Sequence, residues 1–153
     1  MSSSWQTGPV RRLRWRSRHR SRNMSRRPLE LGKPFEKKVV FSLGVVSSGR
    51  MLHTAGITAR NSEGDVVGKG DMRAQVAQCF ANLDDILKAA GASFGDVIKY
   101  TIYTTDIEAF DTQTRDMRFP YFVDRPASTL IEVSKLIDPA MLVEIEAIVS
   151  LGD

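Results

Sequence analysis

The chain has 153 residues, with 22 Lys+Arg against 18 Asp+Glu, 42% hydrophobic residues, one cysteine and two histidines. That length supports one ordinary domain, and no run approaches the roughly 18–20 apolar residues of a membrane-crossing helix. Cys79 alone forms no intramolecular disulfide, and two histidines with one cysteine do not make a Cys/His zinc site, so neither a metal nor a cofactor is expected.

The positive charge is concentrated at one end. Residues 1–27 contain nine arginines, no lysine and no acid. Removing those nine leaves 13 basic and 18 acidic side chains in residues 28–153, a body of net charge −5. The Ser/Arg-rich stretch cannot bury enough surface to offset its ordering entropy, so residues 1–33 are expected as a disordered arm and 34–153 as the domain. Three roles compete for the arm: a polyanion-binding tail, a mitochondrial targeting segment, and a dispensable leader ahead of a start at Met24. A nucleic-acid partner would act through the arm, because the acidic body has no basic stripe for phosphates. The expected compartment is the cytoplasm, or the mitochondrion if the arm is a transit peptide.

Gly32, Pro34 and Glu36-Lys37-Lys38 mark the entry to the fold. The β-branched run 39–46, the turn Ser47-Ser48-Gly49 and residues 51–56 read as a β-hairpin. Residues 61–70 are loop-rich, with a short strand expected at Val66-Val67. Met72, Val76, Phe80, Leu83 and Leu87 recur at helical spacing and predict a helix over 71–90, with Asp71 as N-cap and Gly91 beyond its end. Cys79 lies beside this stripe and reads as an inert buried thiol.

Val97 to Thr104 is strand-like in its β-branched and aromatic content. Thr105-Asp106 caps a second helix, expected over 107–122, and Arg125-Pro126-Ala127 breaks it. Two strands follow at 128–135 and 141–149, connected through Asp138-Pro139. The order β-β-β-α-β-α-β-β predicts an α+β domain: one mixed six-stranded sheet with two helices on one face. Alternation in the last strands places Val143, Ile145 and Ala147 toward the helices and Glu132, Glu144 and Glu146 on the opposite face. In a monomer those glutamates are solvated surface.

Several segments together resemble the RidA family, also called YjgF/YER057c/UK114: residues 39–56 with the Ser48-Gly49-Arg50 turn, Asn82-Leu83 with Ala89-Ala90-Gly91-Ala92, and Val97-Ile98-Lys99. Tyr103-Thr104-Thr105-Asp106, Arg125-Pro126-Ala127 and Val143-Glu144-Ile145-Glu146-Ala147-Ile148 complete the pattern, which covers about residues 36–150. The resemblance implies a chorismate-mutase-like fold and a homotrimer with metabolite clefts between subunits. It also implies cofactor-free hydrolysis of reactive enamines and imines to 2-oxo acids and ammonia, with Glu144 positioning or activating water.

The chain departs from that pattern at the cleft. The family's deaminases follow Pro-Ala with an arginine that clamps the substrate carboxylate, and here Ser128 stands there, so the chain resembles an arginine-lacking branch. The family's hairpin serine corresponds to Ala55, and its second-helix asparagine to Thr114. Thr129 and Tyr121 are candidate wall residues and Arg125 a candidate replacement cation, with Arg50, Arg60, Arg115 and Arg118 as further cations and His53 as a candidate base. The alternative function is a non-catalytic trimeric module that binds a metabolite or a protein.

Overall fold

The computed structural model describes residues 26–153. Two residue patterns organise it. Along β7 (Val143–Gly152), Val143, Ile145, Ala147 and Val149 are buried while Glu144, Glu146 and Ile148 are not. Along β5 (Val97–Thr104), Tyr100, Ile102 and Thr104 are buried, with Lys99, Thr101 and Tyr103 facing the other way. The two strands pair antiparallel, so their buried sets fall on one face of the sheet.

That face is covered by α1 (Met72–Ala89) and α2 (Ile107–Arg118). Met72, Val76, Cys79, Phe80, Leu83 and Leu87 of α1 are buried as the helical spacing predicts. The Asp71 and Asp106 carboxylates accept the Ala74 and Ala109 backbone N–H groups at 3.0 and 2.9 Å, capping the two helices. Gly91 takes φ +72° just beyond α1, where a side chain would be strained.

The main sheet has five strands: β3 (Arg50–His53), β4 (Ile57–Thr58), β5, β6 (Ala127–Glu132) and β7. Both β3 and β4 pair antiparallel with one edge of β7, β5 takes its other edge, and β6 lies parallel to β5 at the rim. The remaining ladder is separate: β1 (Arg26–Pro28) against β2 (Val45–Ser47). From β2 onward the element order is the predicted one, and the α+β class with two helices on one sheet face holds. Among the described residues no helix is long and apolar enough to cross a membrane.

Five expectations are corrected. The expected six-stranded sheet has five strands, because β2 pairs with β1 in a separate ladder. The hairpin of residues 39–56 does not form as one ladder, because Ser42 donates its N–H to Pro126 O and its hydroxyl to Arg125 O, drawing this segment to the start of β6. The strand beginning the excursion is β4 rather than Val66-Val67; Val66 makes an isolated bridge to Arg60. The second helix stops at Arg118 and continues as a 3-10 turn over Phe119–Tyr121, since Pro120 cannot extend the α-helical hydrogen bonding. Residues 1–25 of the expected arm lie outside the described residues. Within its remainder, Arg26–Pro28 forms a strand, fixed by the Arg26 guanidinium donating to Gly95 O and Asp124 O.

One buried polar side chain fastens α1 to the entry of β7. Gln75 is 0% exposed; its Nε2 donates to Ala140 O at 2.7 Å and to Gly68 O at 3.3 Å, and its Oε1 accepts from Leu142 N–H at 2.8 Å. Gln75→Leu leaves three part-buried backbone groups unpaired and is expected to cost about 2 kcal/mol. Urea unfolding checks this: the midpoint falls with an unchanged slope.

Candidate active site

The sheet face away from the helices is built from three rows of paired residues. Thr58, Glu144, Tyr103 and Ile131 lie across one row; Glu146, Thr101 and Thr129 across the next; His53, Ile148, Lys99 and Ala127 across the third. Residues opposite one another in a ladder project to the same side, so this surface mixes carboxylates, hydroxyls and one ammonium.

Glu144 sits mid-sheet between β4 and β5 and is half-buried. Its carboxylate accepts no hydrogen bond from the described residues. It lies directly over Gly56: a Cβ built there would meet Glu144 Oε1 at 1.8 Å. Gly56, between β3 and β4, therefore supplies the space in which this carboxylate rests. Glu146 is engaged differently, accepting from the Tyr103 hydroxyl at 3.1 Å. That hydrogen bond and the neighbouring carboxylates hold the Tyr103 phenol above its usual pKa. Lys99 Nζ donates to Thr129 Oγ1 at 2.6 Å. A shallow depression of about 130 Å³ opens on this face, bounded by His53, Lys99, Thr101 and Glu146.

Ser128 is elsewhere. Its ladder partner is Tyr100, whose ring is buried under the helices, so Ser128 projects to the helix side of the rim strand. Glu132 follows the same phase as the partner of Thr104, and its carboxylate accepts the Ile107 N–H at 3.1 Å. It is thus a fastener of the first turn of α2, a correction to its expected place beside Glu144 and Glu146. Parallel pairing with β5 sets this phase, which alternation within β6 alone leaves open.

Beside Ser128 is a groove of about 650 Å³ between α2, the rim strand and residues 37–41. Lys37, Lys38, Arg115 and Arg118 line it with Asp111 as its one carboxylate. Val40, Phe41, Phe119 and Leu130 supply apolar wall. Arg118 is only 9% exposed, with its guanidinium 4.4 Å from the Phe110 ring centroid. Burial pushes its pKa down, partly offset by Asp111.

The other sequence-predicted residues have structural partners. Thr114 is fully buried and donates to Phe110 O at 2.6 Å. Tyr121 stacks on Phe80 with ring centroids 4.0 Å apart, and its carbonyl accepts from the Tyr100 hydroxyl. Ala55 is exposed in the link between β3 and β4, next to Gly56. Arg125 Nη2 donates to Glu36 O at 2.6 Å and Phe41 O at 3.1 Å, clasping the segment that leads into the groove. Cys79 is fully buried and desolvation pushes its thiol up to about 12. The described residues hold no cluster of three or more candidate metal ligands.

Sequence reasoning did not single out Gln75, Gly56 or the groove. A glutamine at helical spacing within an apolar stripe was a readable signal for the first. The Glu144–Gly56 contact and the groove arise from residues far apart in the chain.

The fold and the glutamate-bearing sheet face are those of a small α+β protein of the chorismate-mutase-like type. Residues 34–151 match the family described as Endoribonuclease L-PSP. A RutC family protein of Pyrococcus horikoshii is 39% identical over 105 residues, 67% of this chain and 81% of that protein. The 2-iminobutanoate/2-iminopropanoate deaminase of Escherichia coli K12 is 32% identical over 108 residues, covering 67% and 81%. A solved structure of the Rid-family protein YyfB from Yersinia pestis superposes with TM-score 0.75 at 33% identity, over 84% of this chain and 100% of that one. The chain belongs to the RidA (YjgF/YER057c/UK114) family.

Asp111 links the groove to stability. Its carboxylate accepts from Arg115 and, at 3.0 Å, from Arg118, and these guanidinium groups hold its pKa below the usual aspartate value, the Arg115 hydrogen bond contributing most. Stabilisation of this sign is complete above the unfolded-state aspartate pKa and is lost as pH falls through the depressed folded value. Asp111→Asn is expected to lose roughly 0.5 kcal/mol at pH 7, a small figure because the carboxylate is partly solvent-screened. The gap from the parent closes as unfolding is measured at progressively lower pH.

Proposed function

We propose that this protein is a cofactor-free hydrolase of small enamines or imines, an arginine-lacking member of its family that works in the cytoplasm as a homotrimer. Glu144 carries the reading. Its half-buried carboxylate accepts from no donor among the described residues and stands at the centre of the sheet, in a chain 32% identical to a named imine deaminase.

In this reading the carboxylate takes a proton from water as the water oxygen adds to the imine carbon, and the imine nitrogen gains a proton. The resulting carbinolamine loses ammonia as the C–N bond breaks and the carbonyl forms. No metal or redox partner enters the balance. An enamine reaches the same point after protonation at carbon gives its imine tautomer.

Glu144 and Ser128 lie on opposite faces of the sheet within one chain. In the proposed trimer a boundary between copies would bring such faces together and form the cleft from two protomers. Ser128 and Thr129 would orient the substrate. One hydroxyl in place of a guanidinium makes 2-iminopropanoate a poor substrate, because a strong charge-assisted contact is missing at that position.

The test generates imines in situ from a panel of amino acids with an amino-acid oxidase and follows ammonia release. Glu144→Gln is expected to lower turnover about 100-fold or more with the sedimentation-derived assembly unchanged. Gly56→Ala, which displaces the carboxylate, is expected to lower kcat about tenfold without unfolding the chain. No turnover across the panel overturns the hydrolase reading. Ligand-dependent thermal stabilisation without turnover would instead identify the non-catalytic binding module, the reading that Ser128 favours.

A further inference from the structure

The groove beside Ser128 combines two properties that rarely coincide on an acidic body. Its charged lining is four cations against one carboxylate, and the rest is largely apolar. Lys37 and Lys38 have no ion-pair partner among the described residues. Asp111 is shared between Arg115 and Arg118, so it neutralises one of the two guanidinium charges.

Arg118 is the unusual member. A guanidinium this buried is expected to have its nitrogens paired. Its Nε donates to Thr114 O at 3.3 Å, and its Nη2 to the Asp111 carboxylate at 3.0 Å and more weakly to Asp111 O at 3.5 Å. Nη1 has no partner among the described residues, yet it is not sealed away from solvent. The guanidinium itself lies over the Phe110 ring, which leaves it little conformational freedom to lose, and Arg118 lines the groove with Nη1 unpaired. Ser128, on the facing rim strand, adds a hydroxyl with no hydrogen-bond partner among the described residues.

We propose that this groove binds organic carboxylates bearing an apolar body, with Arg118 as the anchoring cation, Ser128 as an auxiliary donor and the Phe41–Leu130 wall as the apolar seat. The anchoring charge thereby comes from α2 instead of the rim strand. The groove's volume of about 650 Å³ and its apolar wall accommodate a substituent larger than methyl, so the preferred ligands are branched or aromatic 2-oxo, 2-imino or simple carboxylic acids. As a statement about substrate the proposal rests on the hydrolase reading above; as a statement about binding it stands apart from it.

The probe is 3-phenylpropanoate, which does not react, titrated calorimetrically into the full chain against 3-phenylpropanamide, acetate and inorganic phosphate. Saturable binding of 3-phenylpropanoate is expected, with each of the other three at least about tenfold weaker. Arg118→Met keeps the packing stem and is expected to weaken binding about tenfold or more; Ser128→Glu, which adds a competing carboxylate at a half-buried surface position, does the same. Lys88→Ala, a cation removed from the far end of α1, changes affinity by less than about twofold.

If Arg118→Met fails to fold, Ser128→Glu and the amide comparison carry the test. Binding of 3-phenylpropanoate unaffected by either variant, or matched by phosphate or by the amide, overturns the proposal. Absence of imine turnover together with Arg118-dependent binding sinks the hydrolase reading and leaves the carboxylate site standing. Imine turnover whose KM is the same in the parent, Arg118→Met and Ser128→Glu sinks the anchor and leaves the hydrolase.

Discussion

The buried alternation of β7 is the constraint on which the rest of the molecule depends. Val143, Ile145 and Val149 are completely buried and Ala147 nearly so, all against the helices. A slip of one residue would turn these toward solvent and drive Glu144 and Glu146 into the apolar layer, a penalty no local rearrangement could absorb. β7 is also the central strand, paired with β3 and β4 on one edge and β5 on the other. Every neighbour inherits its phase, so the apolar core and the carboxylate surface are two results of one register.

Polar contacts then tie the loops to this frame. The Gln75 amide secures the residues just ahead of β7, and its loss would loosen the segment from which Glu144 projects. At the other rim, Asp124 and Arg125 both adopt φ +54°, an uncommon conformation for residues with side chains. The cost is offset locally: Ser42 donates to Arg125 O, and the Arg125 guanidinium holds the carbonyls of Glu36 and Phe41. The same contacts position residues 37–41 as a wall of the groove. Arg125 is thus occupied in building the groove while Arg118 faces into it.

What could be read from the residues in advance follows physical range. α1, its Asp71 cap and the two faces of β7 were legible because periods of 3.6 and 2 are local properties. The same alternation gave the sheet face of Glu144, and the family pattern added only a role for it. The phase of β6 was not legible, since which side Glu132 takes depends on the parallel partner chosen some thirty residues earlier, roughly the length of a crossover unit. Nor was the expected hairpin of residues 39–56 secure: its β-branched content was real, but Ser42 and Phe41 find better partners at Pro126 and Arg125. The cationic groove likewise gathers side chains from three separate segments, and only the tertiary structure shows that they meet.

The burial of Cys79 makes it a built-in gauge of opening. It is the single thiol of the chain, it lies under α1 against Val143 O, and its proton is held tightly enough that almost no thiolate exists near neutrality. A maleimide or disulfide reagent can therefore reach it only through molecules in which α1 has lifted from β7. The rate of labelling reads the population of that lifted state at the strand that carries Glu144, in native buffer and without any engineered tag.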